Sequence, residues 1–525
     1  MNYELYIMNK IFKVIILCVA FLAGACADKT YDNHYKADPA IVSDTNLWET
    51  IETMPELSKF TEILKSYGYD LILSRTQAYT IFAPDNDALS ALDTADMDVQ
   101  KELVENHIAR FILPVPGNSS SVVSTLNNKR TDLAWQNGNY YFGTAPFAVP
   151  VKSVIASNGI VHVLANFDVF FPNVYEYLAK GADLDSIKNF LYSFDERQFY
   201  PDNSVAGNIV DGQQTYLDSA FINVNVILDS IGYINREDST YMMIVPDNTA
   251  WNEAYNRIKN DFTYYNKNSA KADSMQRRNT IYAMLQDLVF NMNDQPSPKD
   301  SLVSTTRHTF YNPQYLFDGA QQAATSNGTV FVTSQLNYAA WNSWQQPILV
   351  EAESVLGREN TLSTPSVVRV SNDARAFVSS GQYLKLDPTT SSGNPTVTFQ
   401  IPNTLSSYYD IYCVFISPSL VTPSLVGKPC KVYFSLAYND SNGNPVSMRF
   451  PDTGDILTDP SYGIFYQLVT QNFKFPTANY NEVQSNGDPL VTVTFKVVSD
   501  VGRTETANYS RQLLLDCILL EPKRN

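Results

Sequence analysis

The stretch TIFAPDNDAL, Thr80–Leu89, sets the reading of this chain, because MMIVPDNTAW, Met242–Trp251, restates it 162 residues further on. In each, a run of β-formers meets Pro-Asp-Asn. The run Tyr79–Ala83 has strand character, and Pro84 ends it, since proline has no N–H to give to a ladder. Asp85, Asn86 or Asp87 then caps a helix that opens with Ala88 and Leu89. The second stretch, YMMIVPDNTAWNEAY, repeats strand, break, cap and amphipathic helix.

A second pair keeps the same order. SNGIVHVLANFDVFFP, Ser157–Pro172, is echoed by SNGTVFVTSQLNYAAW, Ser326–Trp341, at an offset of 169. Asn158-Gly159 is a hairpin signal, and an alternating strand with Ile160, Val161, Val163 and Leu164 around His162 follows it. Two motifs kept in order at near-equal spacing predict a duplicated domain.

These residues resemble the two signature motifs of the fasciclin domain. LVENHIARFILP, Leu103–Pro114, resembles the segment between them, with His107 in the place where the family carries a histidine. The first copy spans 44–172 and the second, divergent copy 173–348. In the second, AMLQDLVFN (Ala283–Asn291) lacks the central histidine and Phe331 replaces His162. The resemblance implies a compact wedge of β-strands flanked by helices, used for extracellular interaction or adhesion rather than catalysis. It also implies that Pro84 with Asp85, and Pro246 with Asp247, hold a strand-to-helix turn, and that His107 and His162 form a buried hydrogen-bonded pair. No carboxylate or cysteine stands at ligand spacing from those histidines, so a metal there is not expected.

The chain's 525 residues suit about three domains. With 33 Tyr and 28 Phe, aromatic and β-branched residues dominate over helix formers, which favours β-rich domains. A net charge of −17 argues against a nucleic-acid partner, because phosphate binding needs clustered Lys and Arg. It argues equally against adhesion to anionic lipid by charge alone.

At the N-terminus, residues 8–26 read MNKIFKVIILCVAFLAGAC. Lys10 and Lys13 form a basic region, Ile15–Leu22 an apolar run too short to span a membrane, and Ala23, Gly24 and Ala25 precede Cys26. This resembles a bacterial lipoprotein signal, residues 1–25, cut before Cys26, whose thiol takes the lipid. Met8 would be the start, and Leu22 sits one place early. The alternative is an ordinary cleaved signal with a chance cysteine. Residues 26–43 are polar and aperiodic and read as a flexible tether. The expected location is the outer membrane, lipid-anchored and facing outward. Seven Asp-Ser/Thr triplets, such as Asp185-Ser186-Ile187 and Asp229-Ser230-Ile231, resemble O-glycosylation acceptors of some Gram-negative bacteria, a pattern consistent with export.

From 349 to 525 the texture changes to short alternating runs, among them TVTFQI, YDIYCVF, KVYFSLAY and LLLDCILLEP, separated by turn signals such as SSGNP. That is the pattern of a β-sandwich. It resembles a jelly-roll, galactose-binding-like carbohydrate-binding module, with VEAES (Val350–Ser354) as its opening and LLLDCILLEP as its closing strand. The resemblance implies a structural calcium held by Glu351, Glu353 and Asp516, oxygen ligands that would staple the first strand to the last. No other cofactor is expected. Sugar sites need aromatic platforms, and this module contains no Trp, since all five precede residue 351. The candidate platforms are Tyr408, Tyr462, Phe465, Tyr466 and Tyr480. Trp341 and Trp344, in NYAAWNSWQQP, are expected to pack one domain on the next, with a ligand platform as the alternative. Cys413, Cys430 and Cys517 match no metal spacing and read as core thiols.

No Walker loop, G-x-S-x-G, H-E-x-x-H or C-x-x-C pattern is present in the mature chain, and four His leave little material for acid-base work. The fold class is therefore multidomain: two fasciclin-like α+β domains followed by a jelly-roll β-sandwich. The expected function is a non-catalytic surface lipoprotein. It would bind polysaccharide, or serve as an accessory subunit of a TonB-dependent transporter with its starch-utilisation-type partner lipoprotein. The rival is an adhesin that binds proteins through its fasciclin domains. A third reading is a hydrolase, whose carboxylate pair would be assembled only in space.

Overall fold

The computed structural model describes residues 41–523 apart from 92–96, 118, 170, 202–203, 211, 219–220, 296–299, 372, 423, 462 and 484–489. The signal, Cys26, most of the tether and Tyr462 fall outside these. Among the described residues no helix is long and apolar enough to cross a membrane. The chain divides into two compact units, Met1–Pro172 and Asn173–Asn525.

In the first unit a five-stranded sheet runs in the order Ile41–Val42, Ser153–Ala156, Gly159–Leu164, Tyr79–Pro84, Ile108–Arg110. Its two central strands are the two motifs. They pair in parallel from Tyr79 opposite Gly159 to Pro84 opposite Leu164. Both are buried at every residue, which is why they read as near-continuous apolar runs. Helices Leu47–Glu52 and Ser58–Ser66 put Leu47, Ile51, Phe60 and Leu64 against Ile81, Val161 and Val163. On the other side, Phe82 stacks on Phe142 at 3.9 Å, in a small core with an antiparallel four-stranded sheet over 120–146.

The second unit begins with the same device. Tyr241–Pro246 pairs in parallel with Gly328–Thr333, from Tyr241 opposite Gly328 to Pro246 opposite Thr333. Val289–Asn291 flanks it antiparallel, as Ile108–Arg110 flanks the first copy. The motif pairs therefore recur in one register. The second copy is longer because two antiparallel ribbons intervene between its helices: Asp195–Phe199 with Phe221–Asn225, and Val205–Val210 with Gln213–Asp218.

Residues 348–522 form two six-stranded antiparallel sheets. Leu384, Ile411, Phe415, Leu515 and Ile518 of one pack on Val397, Phe399, Phe434, Phe495 and Val497 of the other, the geometry of a β-sandwich. Cys413, Cys430 and Cys517 are buried and free, as expected of core thiols. The sandwich is fused to the second copy. Ser406 N donates to Asp261 O at 2.8 Å, Thr263 N to Ser406 Oγ at 2.9 Å, and the Tyr264 hydroxyl to Tyr480 O at 2.8 Å. Trp344 is buried and its indole N–H donates at 3.3 Å to Asp261, whose backbone carbonyl takes Ser406 N.

Candidate functional site

The Pro-Asp-Asn motif has a local job in both copies. The Asp85 carboxylate accepts from Ala88 N at 2.8 Å, and Asp247 from Ala250 N at 2.8 Å, capping the helical turn that follows. Asn86 accepts from Lys59 N and Asn248 from Ser186 N, each at 2.9 Å, so each Asn clasps the start of an earlier helix. The Asn of the second motif is equally fixed. Asn158 accepts from Leu47 N at 2.7 Å and donates to Leu73 O and Arg75 O; Asn327 accepts from Val174 N at 2.8 Å and donates to Ile234 O and Arg236 O. The glycine after each leaves no room for a side chain. An added Cβ would lie 2.0 Å from Tyr79 O at Gly159 and 1.8 Å from Tyr241 O at Gly328. These residues build the scaffold.

The histidines are buried but do not bond each other, which corrects the expected pair. His107 Nδ1 meets Leu103 O at 2.8 Å while its Nε2 accepts from Asp168 N at 2.9 Å. His162 Nε2 meets Leu113 O at 2.9 Å while its Nδ1 takes the Ser153 hydroxyl at 2.8 Å. A carbonyl partner demands an N–H, so each ring is held as one neutral tautomer with both nitrogens used. Burial presses both down to about 4.

At the sandwich, the structure brings Glu351, Glu353 and Asp516 together. Glu351 pairs with Cys517 across antiparallel strands, and Ala352 N donates to Asp516 O at 3.0 Å. Ser379 N donates to both Asp516 carboxylate oxygens, at 3.1 and 3.2 Å. The Ser379 hydroxyl donates to Glu351 at 2.5 Å and that of Ser380 to Glu353. The second oxygens of Glu351 and Glu353 are buried without a partner. Burial, and then the charges of the two glutamates, push Asp516 up to about 7 against the pull of Ser379 N–H. Three like charges and two orphaned oxygens are a donor set that suits a hard divalent cation in kind. As the side chains stand, no three His, Cys, Asp or Glu among the described residues are placed to hold a metal ion. Two serine hydroxyls occupy oxygens that such an ion would take.

The candidate platforms separate. Tyr466 is 56% exposed on its strand and Tyr408 41%, with Lys474 Nζ lying 5.2 Å from the Tyr408 ring centre. Tyr480 is not a free platform: its ring meets Phe262 edge-on at 5.5 Å inside the junction. Phe465, half-buried on Ile464–Lys474, lines an open cleft of about 360 Å³ at one end of the sandwich. Tyr509, Lys428, Asp459 and Gln512 line it as well, and Val426 on its lip is 84% exposed. Sequence reasoning missed Tyr509 because the cleft is assembled from three loops far apart in the chain. The Lys428 ammonium is steadied by Thr506 O at 3.1 Å and Asp459 by Ser461 N at 2.9 Å. One aromatic wall with a few fixed polar groups is the make-up of a small-molecule cleft.

Residues 55–167 match the family model described as Fasciclin domain. Fasciclin-like arabinogalactan protein 3 of Arabidopsis thaliana is 26% identical over 125 residues, covering 21% of this chain and 45% of its own. The chain spans only 13% and 45% of the length of the curated relatives it matches. Among solved structures, a FAS1 domain pair from the insect cell adhesion molecule Fasciclin I is similar at 14% identity and a TM-score of 0.21, over 55% of this chain and 98% of its own. TmCBM61, solved with β-1,4-galactotriose, is similar at 10% identity and a TM-score of 0.18, over 32% of this chain and 90% of its own. The span that matches the Fasciclin domain model, residues 55–167, lies within the first unit.

Proposed function

We propose that this is a non-catalytic, lipid-anchored protein of the outer-membrane surface that captures a glycan through its C-terminal sandwich. The observation that carries this is the cleft walled by Phe465 and Tyr509, with Lys428, Asp459 and Gln512 within it. An aromatic face takes the C–H side of a sugar while fixed polar groups take its hydroxyls. The test is migration in native gels cast with neutral polysaccharides. Wild type is slowed by its cognate polymer, and Phe465→Ala loses at least tenfold in affinity. Unchanged retention in Phe465→Ala would remove this cleft from the account.

In this reading the protein is an accessory subunit of a TonB-dependent nutrient transporter and its starch-utilisation-type lipoprotein partner. A pull-down from detergent-solubilised outer membrane recovers both partners in stoichiometric amount; recovery of the protein alone would sink this assignment. Glu351, Glu353 and Asp516 would hold a structural calcium once the serine hydroxyls give way, neutralising carboxylates that now repel one another.

Adhesion is the second reading, and a specific feature favours it. The first unit exposes Phe111 at 73% and Val149 at 81%, and apolar side chains so open suit a protein partner. Adhesion to immobilised matrix proteins that survives loss of the sandwich cleft would support it.

A further inference from the structure

A second cleft, of about 450 Å³, opens where the last residues of the second copy meet the sandwich, and it is lined by Trp341, Gln345, Gln346, Asp410, Glu521 and Lys523 with two prolines. It falls inside the roughly 300–1,000 Å³ range of small-molecule sites. Trp344, three residues away, is consumed by the junction through Tyr338 and Asp261. Trp341 is half-buried and among the described residues no other ring stacks on it. Its surroundings are preorganised. Gln346 Nε2 donates to Trp341 O at 2.9 Å and to Ser343 O at 2.8 Å, which spends the amide's donors and leaves its oxygen. Gln345 Nε2 is held by Ser407 Oγ at 2.7 Å. Asp410 accepts from Lys523 at 2.6 Å and from Asn472 N at 2.8 Å. Burial raises that carboxyl, but these two donors outweigh it and hold it below the usual range. Glu521 stands exposed.

We propose that this cleft is a second saccharide site, for a neutral sugar stacked on Trp341; the proposal rests on the glycan-capture reading above. The charge balance decides the class. Asp410 and Lys523 cancel, Glu521 remains, and amide and carboxylate oxygens dominate the rim. Hydroxyl donors are served there, while a uronic acid or sulfated sugar is repelled. The placement gives the site a purpose. Asp410 and Glu521 lie on Tyr408–Ile416 and Leu513–Pro522, whose opposite ends, Ile416 and Leu513, line the first cleft. At about 3.3 Å per residue the two clefts are some 20 Å apart along the strands. One polymer chain that engages both gains avidity without any new contact.

The experiment runs the full chain in native gels containing xylan, galactan or starch, with polygalacturonate as the anionic control. The variants are Trp341→Ala, Trp341→Phe, Phe465→Ala and the Trp341→Ala/Phe465→Ala double. The expected result is that Trp341→Ala weakens polymer binding at least tenfold at an unchanged melting temperature, Trp341→Phe restores most of it, and the double variant migrates freely. Loss in Trp341→Ala with Phe465→Ala intact supports this site and removes the first. Loss in Phe465→Ala with Trp341→Ala intact overturns the second site and leaves the first standing. A wild type slowed by no neutral polymer overturns both, and a wild type slowed by polygalacturonate overturns the neutral-sugar assignment.

Discussion

Asn158 and Asn327 show how much one side chain can fix. Each joins a helix start to two carbonyls of another loop, and each sits beside a glycine that no other residue can replace. Removing the amide leaves buried partners unpaired, so Asn158→Ala and Asn327→Ala each cost on the order of 3 kcal/mol in denaturant unfolding. Hydrogen exchange localises the first loss to the first unit and the second to the second. The histidines give a pH signature. Their folded values near 4 lie below the ordinary 6.5, so their contribution is complete above pH 6.5 and is lost as pH falls through 4. Exchange in the strands 79–84 and 159–164 therefore accelerates across that window, and His162→Gln flattens the response. The motif residues were legible because their chemistry is local: a proline stop, an Asx cap, an Asn-Gly turn. Three of the histidine partners were not, because Asp168, Ser153 and Leu113 reach the rings only once the sheet has formed; Leu103, one helical turn before His107, is the local one.

At the scale of elements, the two central strands stood out in the sequence as apolar runs bounded by Pro and Gly. A third repeated signal was overlooked. Asn46 with Glu49 and Asn173 with Glu176 are capping boxes at the first helix of each copy, and the pattern N-x-x-E just before an apolar run was there to be read. The two ribbons over 195–225 were missed for a different reason. Their strands are only five or six residues long, and those of the first ribbon are mostly exposed, so no buried apolar face marks it. The closing strand Leu513–Pro522 carries its own test. Asp516 is held near 7, above its ordinary 3.8, so it stabilises the fold while protonated and that stability is lost as pH rises through 7. In chelator, the sandwich melts at progressively lower temperature from pH 4 to pH 7. Millimolar calcium at pH 7.5 raises the melting temperature by several degrees, and Asp516→Asn abolishes both effects. A wild type indifferent to calcium would rule out the structural ion.

For the whole molecule, the order of modules followed from texture: apolar repeats with helical segments, then short alternating runs. The fusion of the second copy with the sandwich into one compact unit was foreshadowed only by the expectation placed on Trp341 and Trp344, because the other junction groups, Asp261, Thr263, Ser406 and Ser407, are polar residues that look like surface until they meet. Clefts built from distant loops are hidden in the same way: nothing in the sequence set Tyr509 beside Phe465. The central claim is capture without cleavage, and one measurement addresses it directly. The purified chain is incubated with a panel of soluble polysaccharides, and bound polymer and new reducing ends are read from the same samples. The account predicts retention of one class of neutral polymer with no release of sugar. Retention accompanied by rising reducing ends would make the protein a hydrolase, and the absence of retention across the panel would contradict glycan capture.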